Sequence, residues 1–210
     1  MTALPPVPST ERPAVDEHRN PWTTTGSGIV YENPWIEVRH DTVLDPAGRP
    51  GTYGVVSPRN FALGVLPIFD DGTVLLVGQY RYALDLYSWE QPEGGGRKDE
   101  PITESIAREL REETGFGASS WFPLITDATL SNSITDERVW CWVAWGLTGG
   151  EADLESTEHD LVTWRVRYPE VVAMVWNGQI HDSMTIMSVT KVEAMRLRSE
   201  LPTALAALLT

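Results

Sequence analysis

Three glutamates in the stretch GGGRKDEPITESIARELREETGF, residues 94–116, have the type and spacing to bind a divalent cation. At about 100° per residue, Glu109, Glu112 and Glu113 fall at positions i, i+3 and i+4 and leave a helix from one face. Three converging carboxylates repel one another unless cations sit among them, and hard oxygen donors suit Mg2+ or Mn2+ rather than zinc. Arg108 lies one turn before Glu112 and can hold that carboxylate. The alternative for such a run is a plain solvated acidic face. Against it stand the glycine-rich approach at Gly94, Gly95 and Gly96, the arginine, and the helix-ending Gly115.

The helix that carries these residues reads as about Thr103 to Thr114, with Thr103 and Glu104 giving an N-cap signal after Pro101. Glu100 precedes it and is assigned to holding the loop rather than to chemistry. Around the helix, ALGVLPIF and TVLLVGQYRY are β-branched runs separated by Asp70, Asp71 and Gly72, a hairpin signal. WFPLITDATL, ERVWCWVAW and DLVTWRVR read as further strands, and PEVVAMVWN and DSMTIMSVTKVEAMRLRSE have helical spacing. Strands around a central helix, with helices at the end, imply a mixed sheet between helical layers. Residues 1–25 have the proline-rich composition of a tail, and residues 26–57 form a small β meander broken by the turn DPAGRPG. Residues 58–200 are expected to form the catalytic domain, and 201–210 a tail or short helix.

Composition narrows the partners. The net charge of −14 and the lack of clustered Lys and Arg argue against nucleic acid. A small anionic substrate remains compatible when a cation lies between it and the acidic protein. No apolar run has the length of a bilayer span, the N-terminus lacks a secretory pattern, and the single Cys141 fits a reducing compartment. A cytoplasmic protein with no membrane contact is expected. Cys141, the tryptophans of VWCWVAW, and Met184, Met187 and Met195 read as packing residues.

The residues Gly94, Glu100, Arg108, Glu109, Leu110, Glu112, Glu113, Gly115 and Phe116 fit the pattern G-x5-E-x7-R-E-U-x-E-E-x-G-U, U being apolar, at every fixed position. This resembles the signature of the Nudix hydrolases. VLLVGQYRYALDLYSWEQPEGGG (74–96) and LSNSITDERV (130–139) are similar to the ADP-ribose pyrophosphatase branch, and the likeness covers about residues 28–198. The resemblance implies an α/β/α sandwich with a small N-terminal β subdomain. The activity implied is metal-dependent cleavage of ADP-ribose, or a related nucleoside diphosphate sugar, to AMP and ribose 5-phosphate. It also implies a homodimer that exchanges the 26–57 segment, and a metal contact from the backbone carbonyl of Glu93. That position is usually small in the family, so the Glu93 side chain either adds a ligand or points to solvent.

Such enzymes keep their proton acceptor on a loop between late strands. Glu158 in LESTEHDL is the first candidate and Glu137 in TDERV the second, followed by His159, Asp160 and Glu155. Arg81 in QYRY matches the family's Q-x-R, and its planar fork suits phosphate oxygens. Trp35 in the N-terminal segment and Tyr80 or Tyr82 beside Arg81 are candidates for stacking on adenine. Two rivals stay open: hydrolysis of another nucleotide sugar or a dinucleotide, and a domain that senses ADP-ribose or NAD derivatives without cleaving them.

Overall fold

A computed structural model describes residues 14, 16, 19–150, 152 and 160–209. The chain begins with a three-stranded antiparallel sheet, β1 (Thr23–Glu32), β2 (Ile36–Leu44) and β3 (Pro50–Pro58), paired in that order. Its turns are built from side chains that satisfy backbone donors. Asn33 Oδ1 accepts from the Trp35 and Ile36 N–H groups at 2.9 and 2.8 Å, and Asp45 Oδ1 accepts from Ala47 and Arg49. Strand β1 starts at Thr23, inside the stretch read as tail, and all ten of its residues are exposed.

A seven-stranded mixed sheet follows. It comprises β4 (Phe61–Ile68), β5 (Thr73–Arg81), β6 (Leu86–Glu90), β7 (Glu93–Gly96), β8 (Phe116–Thr129), β9 (Arg138–Gly149) and β10 (Val162–Arg167), with the spine ordered β10-β5-β4-β9-β8. Only β4 and β9 run parallel, in register from Ala62 against Val139 to Ile68 against Trp145; every other recorded strand pair of this sheet is antiparallel.

The alternation of β4 shows why helices lie on both faces. Leu63 and Val65 point to helix α1 (Ile102–Thr114), where Ile106 and Leu110 complete a small core. Leu66 and Ile68 point to the other face, packed by α2 (Tyr168–Trp176), α3 (Ser183–Leu197) and the short α4 (Thr203–Ala206). Full burial of each such side chain stabilises by about 1.5–3 kcal/mol. The α/β/α sandwich expected from the sequence is therefore the observed architecture. Among the described residues no helix is long and apolar enough to cross a membrane.

Helix α1 starts one residue earlier than its sequence suggests. Pro101 precedes it with φ −58°, no side chain caps it, and Thr103 lies within its first turn. Its end is as expected, since Gly115 takes a left-handed φ of 73° and donates its N–H to the Arg111 carbonyl. Cys141 lies on β9 with no exposed surface, and burial pushes its thiol up to about 12. Met184 is buried, and Met187 and Met195 pack against the same core.

Candidate active site

The site is built where α1 crosses the strand β7. Helical periodicity turns Glu109 and Glu113 inward, and both are buried. Glu113 Oε2 accepts the Glu93 N–H at 3.2 Å. Glu109 lies against Gly94 so closely that a Cβ at that position would overlap its carboxyl and sit 2.8 Å from its Cγ. Any side chain there would have to displace the Glu109 carboxyl, and no special φ enters into it. Glu112 is more exposed and pairs with Arg108 at 2.6 Å. The same guanidinium reaches Glu109 at 2.8 Å and donates to the Gly95 carbonyl at 3.3 Å. Glu100 accepts the Ser105 hydroxyl at 2.9 Å, joining the loop to the first turn of α1.

These donors fit a hard divalent cation by their chemistry and by the glycine cradle that brings a carboxylate onto the β7 backbone. The convergence expected from helical spacing is only partial. Among the described residues, no group of three or more His, Cys, Asp or Glu stands close enough to hold a metal ion. Arg108, shared between Glu109 and Glu112, supplies the positive charge in this arrangement.

Beside Gly94 opens a cavity of about 630 Å³, whose walls include Arg81, Glu93 and Glu137. Three separated parts of the chain therefore meet in one cleft: the end of β5, the start of β7, and the loop before β9. Burial raises the Glu137 carboxyl above the usual glutamate range. Arg81 is held by Glu90, which accepts its Nε at 3.0 Å on each oxygen and also pairs with its Nη2. Glu90 is almost wholly buried, so the arginine also neutralises an interior charge.

The Glu93 side chain faces the cavity rather than open solvent. It hydrogen-bonds to Asp182, and burial first, then the neighbouring Asp182 carboxylate, hold its own carboxyl well above the ordinary range. Its Oε1 is enclosed without a hydrogen-bond partner. Asp182 in turn caps α3, accepting the Thr185 N–H at 2.6 Å.

The remaining candidates lie elsewhere. Trp35 is 70% exposed and Tyr80 49%, and neither lines the cavity within one chain. The Tyr80 hydroxyl donates to Asp85. Tyr82 is almost fully exposed. Glu158, Glu155 and His159 lie outside the described residues, while Asp160 is exposed at the entry to β10. Sequence reasoning missed Glu90, His181 and Asp182 as wall residues. Asp182 was findable as an N-cap ahead of the helical run, whereas Glu90 gave no signal beyond a carboxylate in an apolar strand.

Such a fold, with carboxylates of one helix closed on a glycine-rich strand beside a cleft walled by an arginine, is an arrangement suited to phosphate anhydride hydrolysis, and comparison with known proteins supplies the class. Residues 58–182 match the NUDIX domain and residues 22–56 the nucleoside diphosphate sugar hydrolase N-terminal domain. The chain belongs to the NUDIX family and is a Nudix pyrophosphohydrolase related to ADP-ribose pyrophosphatases. It is 31% identical over 174 residues to an ADP-ribose pyrophosphatase of Mycobacterium tuberculosis, covering 82% of this chain and 83% of that one. It is 29% identical over 163 residues to a methanol dehydrogenase activator of Bacillus methanolicus, covering 76% and 86%. The crystal structure of an ADP compounds hydrolase superposes with a TM-score of 0.76 at 19% identity, over 89% of this chain and all of that one, a likeness of fold.

Proposed function

We propose that the protein hydrolyses the pyrophosphate bond of ADP-ribose, or a closely related nucleoside diphosphate sugar, to AMP and ribose 5-phosphate. The observation that carries this reading is the carboxylate face of α1, closed on Gly94 beside a cavity walled by Arg81 and Glu137. The relative named an ADP-ribose pyrophosphatase supports the choice of substrate.

Mg2+, or Mn2+ in its place, would be held by Glu109, Glu113 and Glu112 with the backbone carbonyl of Glu93, and when bound supplies charge neutralisation on the diphosphate and a more acidic water. Arg108 and Glu100 keep the ligand helix and its loop in place. Arg81 uses Nε and Nη2 on Glu90, and we assign its Nη1 to a phosphate oxygen. Among the described residues Glu137 is the proton acceptor best supported by position: it takes a proton from water as the water oxygen bonds to phosphorus, and the bridging P–O bond breaks to leave a phosphate. Glu158 remains the other candidate. We further propose a homodimer through the exposed β1 face, which would bring Trp35 of one chain towards adenine bound in its partner.

The test is incubation with ADP-ribose and Mg2+, followed for both products, beside a panel of nucleotide sugars and dinucleotides. A chain that leaves all of them intact is not the proposed enzyme. Glu113→Gln should abolish turnover with the fold retained by circular dichroism. The relative named an activator favours a second reading, a regulatory module. Tight ADP-ribose binding without product would establish that one instead.

A further inference from the structure

The loop joining β8 to β9 contributes Leu130 and Glu137 to the cavity, yet its fastenings lie on the other sheet. The Val56 N–H donates to the Ile134 carbonyl at 2.9 Å, and the Asp136 N–H donates to the Val56 carbonyl at 3.4 Å, forming an isolated parallel bridge with Thr135. The Tyr53 hydroxyl donates to the Ser133 carbonyl at 2.7 Å. The Ser57 hydroxyl donates to Asp136 Oδ2 at 2.8 Å, immediately before Glu137. Tyr53, Val56 and Ser57 all belong to β3, whose nine residues are registered against β2. Ser57 itself falls at the seam between the two family matches, which end at 56 and begin at 58.

A side chain on a loop holds a reactive geometry only when a rigid element fixes that loop. Within the loop, Glu137 has a single local tether, its N–H to Thr135 Oγ1 at 3.1 Å, and Thr135 is the residue bridged to Val56.

We infer that Ser57 and Asp136 are positioning residues for Glu137, a clasp through which the N-terminal sheet sets the wall of the catalytic cavity. The inference rests on Glu137 being the proton acceptor. It gives the small sheet a part in turnover within its own chain, separate from any role in pairing two chains.

The experiment measures kcat, KM and melting temperature for S57A, S57T, D136A, E137Q and S57A/E137Q, using whichever nucleoside diphosphate compound the wild type cleaves fastest. S57A and D136A should lower kcat about ten- to a hundredfold, as a misplaced reacting group does, with KM within about twofold of wild type. S57T keeps the hydroxyl and should recover most of the loss. In the E137Q background S57A should cost nothing further, because both act through one carboxylate. A bond that merely stabilises the fold would lower the melting temperature and leave kcat intact at temperatures where the variant is folded.

Wild-type kcat in S57A and D136A beside a slow E137Q overturns the clasp alone, as does a full S57A loss repeated in the E137Q background. Wild-type turnover in E137Q, or no substrate cleaved by the wild type, removes the acceptor assignment and the clasp with it. Asp136 is exposed, so D136A breaks the same bond even if S57A does not fold.

Discussion

A half-buried carboxyl such as Glu137, proposed to accept a proton, works less well as the solution becomes acidic. Burial raises Glu137 above its usual value of 4.5, so kcat should fall with pH at a point above the ordinary glutamate range. Stability has the opposite sign. Between 4.5 and the raised value the folded chain binds more protons at this site than the unfolded chain, so this residue's contribution to stability declines as pH rises through that window. Glu137→Gln should therefore lose about 100-fold in kcat while melting no lower than wild type at pH 7, the two converging as pH falls below 4.5. A clearly lower melting temperature at pH 7 would show that the carboxylate is stabilised by a partner. At this scale the sequence was informative where partners are local: Arg108 and Glu112 are one turn apart and meet as their spacing requires. It gave no sign that Glu93 would meet Asp182, which is brought to it by a separate helix.

At the scale of elements, the contact of α1 with β7 is decided by one missing methyl group. Gly94→Ala must displace the Glu109 carboxyl or lift the helix, and its φ is not one that strains alanine. Turnover should fall at least about tenfold, because the carboxylate proposed as a metal ligand moves rather than the core. Melting temperature should change little, since Ile106 and Leu110 keep their burial. A large drop in melting temperature with wild-type kcat would sink this reading. The helices were legible from apolar spacing and from Gly115. The pairing of β4 with β9 was not, because parallel partners are set by packing between distant segments and leave no local turn signal. The fastening of the 130–137 loop to β3 escaped the sequence for the same reason.

For the molecule as a whole, the N-terminal sheet presents the most exposed apolar edge. Its first strand is exposed along its length, with Val30 at 66% and Tyr31 at 54%, a surface that isolated chains rarely present. If that face pairs two chains, Val30→Asp should convert a dimer to a monomer in sedimentation velocity, and turnover should fall with the loss of the partner's aromatic face. A wild type that sediments as a monomer at micromolar concentration would exclude the pairing. With a net charge of −14, the attraction for the proposed anionic substrate must come from the site itself.

The lone cysteine offers a different kind of access to this fold. Cys141 lies on β9, paired on both sides by β4 and β8, shielded from solvent and with its thiol held up to about 12, so a disulfide reagent meets almost no thiolate in the native protein at pH 8. Labelling must wait for the sheet to open, and its rate then counts opening events one molecule at a time. The unaltered chain thus carries its own clock for unfolding. A ligand that binds the native cleft should slow that clock in proportion to its occupancy, whether or not it is ever cleaved.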